Sequence, residues 1–196
     1  MLPEEIKKNV VIRADAFQTS GSGHIIRCLS LAYYLVDKVS VFFICRSISD
    51  NLYDKILQMG CQVIIIPTNE KGRGYYYKKF SVTEIRDAIE TIGAIKNLGR
   101  ISCMIVDHYE LTAIWEKRIS KYVDKIFVMD DTADNQHFCQ YLLHEDYTPL
   151  IEKKYKGLIL NNCKLFLGPR YFLFRQEFFD IKIKEKAKVV RKILVT

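Results

Sequence analysis

The chain has 196 residues, of which 49% are hydrophobic and 27% are charged, and its formal net charge is +7 at pH 7. This length suffices for one well-filled core and is marginal for two independent domains, and the composition is typical of a soluble globular protein. The positive charge favours an anionic partner: nucleic acid, an acidic membrane surface or a small phosphorylated ligand. No stretch approaches the roughly 18 consecutive apolar residues of a membrane-spanning helix, and the start lacks a secretion signal, so we expect a cytoplasmic protein.

Short apolar runs alternate with helical patterns over the first two thirds of the chain. Each run is bounded by turn residues, and apolar positions between the runs recur at helical spacing. Five strand-helix alternations predict a parallel sheet covered by helices on both faces, which is an α/β fold. The predicted strands span 10–12, 41–44, 63–66, 104–106 and 126–129, and the predicted helices span 25–36, 51–59, 81–99 and 111–122.

The third predicted helix begins with a capping box formed by Ser81 and Glu84. Past Asp131 the regular pattern ends, and "KLFLGPRYFLF" offers two short apolar runs separated by a Gly-Pro turn. A basic segment then leads into a last predicted strand, 189–195. The six cysteines are scattered without a C-x-x-C pair, which favours reduced, structural thiols.

The loop "SGSGH" at 20–24 follows the first predicted strand and opens a helix. In open α/β sheets, ligands bind at the carboxyl ends of the strands, and a helix N-terminus offers N–H groups to an anion. Gly21 and Gly23 allow close approach of the backbone to a ligand, and His24 at the cleft mouth can act as a general base. Alternatively, the glycines form only a tight turn, and His24 is solvated at the first helical turn.

Two further predicted strands end in polar clusters, "VDHYE" at 106–110 and "MDD" at 129–131. Asp107, His108 and Tyr109 lie in the first cluster, and Asp130 and Asp131 in the second. These positions fall at the same edge of the predicted sheet as Asp15 and His24. Such convergence predicts a functional site at this edge.

Three other ligand classes find weaker support. A dinucleotide fingerprint lacks its third glycine because Ile26 stands there, although Arg46 suits a 2′-phosphate. The basic and aromatic loop "EKGRGYYYKKF" resembles nucleic-acid loops but accompanies no nucleic-acid motif. A metal site would draw on residues whose spacing matches no known ligand pattern. These residues are His108, Asp131, His137, Cys139 and His144.

Four segments in order resemble the UDP-2,4-diacetamido-2,4,6-trideoxy-β-L-altropyranose hydrolases of the pseudaminic acid pathway. The segment "RADAFQTSGSGHIIRCLSLAYYL" resembles the family's R-x-D stretch followed by G-x-G-H-x-x-R and a Leu-rich helix. "VDHYE" resembles its Asp-His-Tyr segment, "MDD" its paired-Asp strand end, and "GPRYFLFRQEF" the end of its first domain.

The resemblance implies a Rossmann-like domain similar to the N-terminal half of a GT-B type glycosyltransferase, with a UDP-sugar held between two such halves. It also implies hydrolysis of that UDP-sugar to free sugar and UDP, with no cofactor, metal, nucleic acid or membrane involved. His24 falls on the family's proposed base. The expected substrate-binding positions are Arg13, Asp15, Gly21, Ser22, Gly23, Arg27, Asp107, Tyr109 and Asp131.

Two departures accompany the resemblance. In "CQYLLHED", Gln140 and His144 replace an Asp and an Asn of the family pattern, which affects local substrate contacts. The ending "KILVT" resembles the strand that opens the family's second domain. We therefore expect a catalytic domain at 1–180, and a linker with the first strand of a second domain, needed for UDP binding, at 181–196. The alternatives are a GT-B type glycosyltransferase and a non-catalytic half-domain that binds a nucleotide sugar or a partner.

Overall fold

The computed structural model describes residues 8–18, 21–67 and 82–179. Strands and helices alternate within the described residues up to 129 as the sequence predicts, and two short 3-10 helices lie at Pro169–Tyr171 and Gln176–Phe178. The strands are β1 (Asn9–Ala14), β2 (Ser40–Cys45), β3 (Gln62–Ile65), β4 (Ile101–Asp107), β5 (Ile126–Met129), β6 (Tyr141–His144) and β7 (Lys164–Leu167). The α-helices are α1 (Gly23–Tyr33), α2 (Asp50–Gln58), α3 (Glu84–Ile95), α4 (Ala113–Ile119) and α5 (Ile151–Lys154).

The described strands form one parallel sheet in the order β3-β2-β1-β4-β5-β6-β7. The chain adds β2 and β3 on one side of β1, and then crosses over so that β4 pairs with the other side of β1. The crevice at the carboxyl ends of β1 and β4 is therefore the switch point of the topology, where α/β sheets bind ligands. This arrangement confirms the predicted Rossmann-like α/β fold.

Helices cover the sheet on both faces, and each face has its own apolar core. Ile25 of α1 and Ile56 of α2 pack on one face, together with Ile12 of β1. Trp115 of α4 packs on the other face with Val11, the neighbour of Ile12 in β1. Because successive strand residues point to opposite faces, a strand covered on both sides must be apolar throughout, which accounts for the continuous runs in the sequence.

The sequence predicts no strand at 141–144, where the structure has β6, and only a short apolar run where it has β7. Both strands have four residues, and the helix between them is a single turn. β3 and β5 are equally short but lie in continuous apolar runs, whereas β6 (YLLH) and β7 (KLFL) each include a charged or polar residue and fewer apolar ones. Past Gly168, the second apolar run of "KLFLGPRYFLF" begins as a 3-10 turn and not as a strand.

The predicted capping box is wrong in its N-cap. Helix α3 begins at Glu84, and its N-cap is Thr83, whose hydroxyl oxygen accepts a hydrogen bond from the Arg86 N–H at 3.3 Å. The carboxylate of Glu84 instead accepts hydrogen bonds from the backbone N–H groups of Thr112 (2.9 Å) and Trp115 (3.2 Å), at the start of α4. Glu84 thus caps the neighbouring helix, a tertiary contact that local sequence does not reveal.

All six cysteines are free in the structure, in agreement with the expected reduced thiols. Among the described residues, no helix has the length and apolar character needed to span a bilayer. Several sequence predictions lie outside the described residues: Ser81, the basic and aromatic loop at 70–80, the last strand at 189–195 and the domain boundary at 180.

Candidate active site

Polar side chains meet at the carboxyl edge of the sheet, where several neighbouring strands end. Asp107 is the last residue of β4, Asp131 follows β5, and Glu145 directly follows β6. Helix α1 begins beside them and carries His24 and Arg27 on successive turns, so both side chains face this edge. The structure therefore brings together His24, Asp107 and Asp131 at one edge, as the sequence predicts, and adds Arg27 to them.

His24 and Asp107 form a closely paired dyad. The His24 Nδ1 atom lies 2.6 Å from Asp107 Oδ1, the carboxylate is fully buried, and the imidazole is 11% exposed. An ionised carboxylate only accepts hydrogen bonds, so this contact favours the tautomer that carries its proton on Nδ1. His24 Nε2 then bears the lone pair, as a general base requires. The alternative of a histidine solvated at the first helical turn does not fit this geometry.

Arg27 binds the opposite side of the same carboxylate. Its Nε donates to Asp107 Oδ2 at 2.9 Å and its Nη2 to Oδ1 at 2.6 Å, a bidentate pair, while Nη1 donates to Asp131 Oδ1 at 2.7 Å. Burial acts to raise the pKa of Asp107, but the hydrogen bonds from His24 and Arg27 outweigh it, so that pKa lies below its ordinary value. Asp107 is therefore held as an anion beside the imidazole.

Tyr109 covers His24 from the solvent side. The two rings meet edge to face with their centroids 4.7 Å apart, and the tyrosine hydroxyl donates to Asp131 Oδ2 at 3.4 Å. The side chain remains 48% exposed, so part of it faces the open crevice. Burial, followed by the charge of Asp131, raises the pKa of Tyr109, and the phenol keeps its proton at neutral pH.

The glycine loop turns the chain from β1 into α1. Gly21 has φ +75°, in the left-handed region that favours glycine, and its N–H donates to the Phe17 carbonyl at 2.8 Å. Gly23 is the first residue of α1, and Ser22 is the N-cap, although its side chain makes no capping hydrogen bond. Both are exposed, so the first turn of α1 lies at the surface. Substrate binding by these three residues stays a prediction.

Arg13 and Asp15 lie beneath the site in an internal ion-pair network. Both side chains are buried, and Arg13 Nη2 lies 2.8 Å from Asp15 Oδ2 and 2.8 Å from Asp87 Oδ2. Asp15 also accepts hydrogen bonds from the Ser47 N–H at 3.0 Å and faces His108 Nε2 at 3.1 Å. In this conformation their contacts are to protein groups that join β1, β2 and β4, and substrate binding by them stays a prediction.

Arg46 is also part of this network. It is 1% exposed and pairs with Asp87 at 2.8 Å and Glu90 at 2.6 Å. Its guanidinium is therefore not presented to the crevice as a 2′-phosphate contact would be. The sequence indication of NADP binding depended on Arg46, and the position of this side chain does not support it.

Sequence reasoning missed Glu145. This side chain is 6% exposed, accepts a hydrogen bond from the Leu173 N–H at 2.7 Å, and lies 3.6 Å from Arg27 Nη1. Burial raises the pKa of Glu145 above its ordinary value. The signal that identifies it is its place directly after a strand end, but only once β6 is known to be a strand.

The histidines considered as metal ligands are distributed among separate partners. His108 faces Asp15, His137 Nδ1 lies 2.7 Å from Glu116 Oε1, and His144 Nδ1 lies 3.1 Å from the Tyr155 hydroxyl. Within the described ranges, no group of three or more His, Cys, Asp or Glu side chains is arranged to hold a metal ion.

The two departures from the family pattern lie at opposite ends of β6. Gln140 Oε1 accepts a hydrogen bond from the Ile126 N–H at 2.8 Å, at the amino end of β5 and therefore at the opposite edge of the sheet. His144 is 1% exposed and is held between Tyr155 and Thr148. Neither side chain reaches His24 in this structure.

No protein-family model matches this chain. The chain is 29% identical over 181 residues to the UDP-2,4-diacetamido-2,4,6-trideoxy-β-L-altropyranose hydrolase of Campylobacter jejuni, which confirms the predicted resemblance. The match covers 91% of this chain and 56% of that hydrolase, so the chain spans little more than half the length of its relative. Among solved structures, MurG of Acinetobacter baumannii is similar in fold, with a TM-score of 0.50, 11% identity, and coverage of 72% of this chain and 42% of MurG.

Proposed function

We propose that the chain forms the catalytic-base half of a UDP-sugar hydrolase that releases a free 2,4-diacetamido-2,4,6-trideoxy sugar and UDP, a step in nonulosonic acid biosynthesis. The 2.6 Å contact between His24 Nδ1 and the buried Asp107 carboxylate carries this proposal, because it prepares a histidine as a base at the ligand-binding edge of the sheet. The name of the Campylobacter hydrolase supports the substrate class.

His24 Nε2 accepts a proton from a water molecule while the water oxygen forms a bond to the anomeric carbon. The bond between that carbon and the diphosphate oxygen breaks, and its electron pair leaves with UDP. Asp107 stabilises the imidazolium that results, as the acidic partner of a catalytic histidine does. UDP leaves as a stabilised anion, so no second carboxyl group is needed to protonate the leaving group, in contrast with ordinary glycosidases.

The first test is the variant His24→Asn in the complete gene product. Loss of a general base lowers turnover by about 10²–10⁴-fold, while binding of the UDP-sugar, measured by calorimetry, changes little. A matched control is Asn135→His, which places an imidazole at an exposed position on the loop after β5. Unchanged turnover in His24→Asn contradicts the proposed base.

The second test is the stereochemistry of the product. Water attacks opposite the departing UDP in a single displacement, so the first sugar released has inverted anomeric configuration. Proton NMR at early times, before the free sugar equilibrates, distinguishes the anomers. A retained anomer contradicts this mechanism, and formation of a glycoside with a hydroxyl acceptor in place of free sugar favours a glycosyltransferase.

A further inference from the structure

A chain of polar contacts connects the segment between the two 3-10 helices to the His24 imidazole. The Leu173 N–H donates to Glu145 Oε1 at 2.7 Å, and Glu145 Oε2 lies 3.6 Å from Arg27 Nη1. Arg27 binds Asp107 bidentately, and Asp107 holds His24 Nδ1. Glu145 is the one member of this chain that no sequence motif identifies.

The Arg27 guanidinium contacts different carboxylates on its two sides. Nε and Nη2 face Asp107, while Nη1 faces Asp131 at 2.7 Å and Glu145 at 3.6 Å. Asp131 is 23% exposed and Glu145 is 7% exposed by side chain, so Glu145 is the better shielded of the two Nη1 partners. An ion pair shielded from water is screened less than an exposed one, so Glu145 restrains Arg27 more than its longer distance alone indicates.

We propose that Glu145 is a positioning residue for the histidine base: through Arg27, it fixes the orientation of the Asp107 carboxylate that aligns the His24 imidazole. The catalytic consequence rests on the proposed function, whereas the effect on the imidazole does not. The charged or titratable groups that surround His24 and Arg27 are Asp107 and Tyr109 from the end of β4, Asp131 from the end of β5 and Glu145 from the end of β6.

The first experiment compares the imidazole nitrogen chemical shifts of His24, at one fixed pH, in the wild-type chain, in Glu145→Gln and in Asp146→Asn. Glutamine keeps the oxygen that accepts from Leu173 and removes the charge that faces Arg27. Asp146→Asn removes the same charge one residue further on, where the side chain is exposed. We expect the Nδ1 and Nε2 chemical shifts of His24 to change in Glu145→Gln and to stay close to the wild-type values in Asp146→Asn. Equal shifts in the two variants overturn the proposal.

The second experiment separates positioning from a simple change of charge by a double-mutant cycle. Arg27→Lys keeps the positive charge and loses the planar fork that binds Asp107. If Glu145 acts through that fork, Glu145→Gln changes the Nδ1 and Nε2 chemical shifts of His24 in the wild-type background and changes them much less in the Arg27→Lys background. Additive effects overturn the proposal.

The third experiment measures catalysis in the complete gene product. Glu145→Gln lowers kcat by about tenfold with KM nearly unchanged, and Asp146→Asn leaves both within about twofold of the wild type. An unchanged kcat in Glu145→Gln, in an active wild-type hydrolase, overturns the positioning role. If the wild type releases no sugar while the NMR effects occur, the proposed function fails and the contact chain from Glu145 to His24 stands.

Discussion

Asp107 connects the two basic side chains of the candidate site. One carboxylate oxygen lies 2.6 Å from His24 Nδ1 and also accepts from Arg27 Nη2 at 2.6 Å, while the other accepts from Arg27 Nε at 2.9 Å. The Cys28 thiol lies 3.7 Å from that second oxygen. A single buried residue at the end of β4 thus determines the tautomer, the orientation and the counter-charge of the proposed base.

Asp107→Asn tests this dependence at the residue scale. The asparagine amide can present its N–H₂ group to His24 Nδ1, which reverses the imidazole tautomer and moves the lone pair away from Nε2. We expect kcat to fall by about 10²–10⁴-fold, and nitrogen chemical shifts of the imidazole to report the altered tautomer. A kcat within about threefold of the wild type, in a variant that melts normally, contradicts the role of Asp107.

His137 determines a pH dependence of stability away from the crevice. Burial acts to lower its pKa, but the carboxylates of Asp130, 3.6 Å from Nε2, and Glu116, 2.7 Å from Nδ1, outweigh it and raise the pKa of His137 from 6.5 to about 9. A raised pKa in the folded state stabilises the protein fully below about pH 6.5, and this stabilisation is lost as the pH rises through about 9.

We therefore expect the free energy of unfolding to decrease by about 2–3 kcal/mol from this group between about pH 6 and pH 9.5. Urea unfolding of the wild type and of His137→Asn at both pH values measures it. Buried thiols also lose stabilisation at alkaline pH, so the quantity to compare is the difference between the two proteins. An equal pH dependence in both contradicts the assignment to His137.

The residues of the site differ in how far the sequence could identify them. His24 and Asp107 were predicted at one edge because each lies next to a recognisable strand end, although their mutual contact requires the folded arrangement. The burial of Arg13 and Asp15 could not be predicted, because a strand covered on both faces has no exposed side whose pattern would distinguish buried from open positions. Glu145 was missed together with β6.

At the scale of elements, helices α3 and α4 are linked through one carboxylate. Glu84, the first residue of α3, accepts hydrogen bonds from the Thr112 N–H, the Thr112 hydroxyl and the Trp115 N–H. These N–H groups belong to the start of α4, where intrahelical acceptors are lacking. A helix of seven residues depends on such contacts because its own nucleation is costly.

Glu84→Gln is expected to destabilise the protein by about 0.5–2 kcal/mol, because a neutral amide replaces an anion at a helix N-terminus. Urea unfolding monitored by the fluorescence of Trp115 measures the change close to the altered contact. Glu177→Gln, at an exposed position, is the matched control and should leave the midpoint unchanged. Equal midpoints for the wild type and Glu84→Gln contradict the capping role.

The predicted strands were located well where the apolar run is continuous, and poorly where polar residues interrupt it. The five strands predicted within the described residues all occur, because each combines an apolar run with flanking turn residues. β6 and β7 have four residues each and gain their stability from pairing in register, Tyr141 with Lys164 and His144 with Leu167. Such pairing joins segments distant in sequence, so no local pattern predicts it.

At the scale of the whole molecule, a buried carboxylate joins the central strands to the helices of one face. Asp87 on α3 is fully buried and pairs with Arg13 of β1 and with Arg46 at the end of β2, each at 2.8 Å. Trp115 of α4 donates its Nε1–H to Asp87 Oδ1 at 2.9 Å. Burial acts to raise the pKa of Asp87, but the two guanidinium groups outweigh it and lower that pKa, so the residue stays ionised. The network satisfies buried charges on three elements at once.

Asp87→Asn leaves two buried guanidinium groups without their shared counter-charge, and we expect a loss of about 3–5 kcal/mol in the free energy of unfolding. Trp115 is the chain's single tryptophan and is fully buried, so its fluorescence reports on this network, while far-ultraviolet circular dichroism reports on the helices of both faces. Because the two apolar cores share one sheet, we expect both signals to change at the same urea concentration in the wild type, and at a lower common concentration in Asp87→Asn. Asp134→Asn, at an exposed position, is the control and should keep the wild-type midpoint. A fluorescence transition that precedes the circular dichroism transition would mean that the α3 and α4 face unfolds separately, and that the sheet does not couple the two cores.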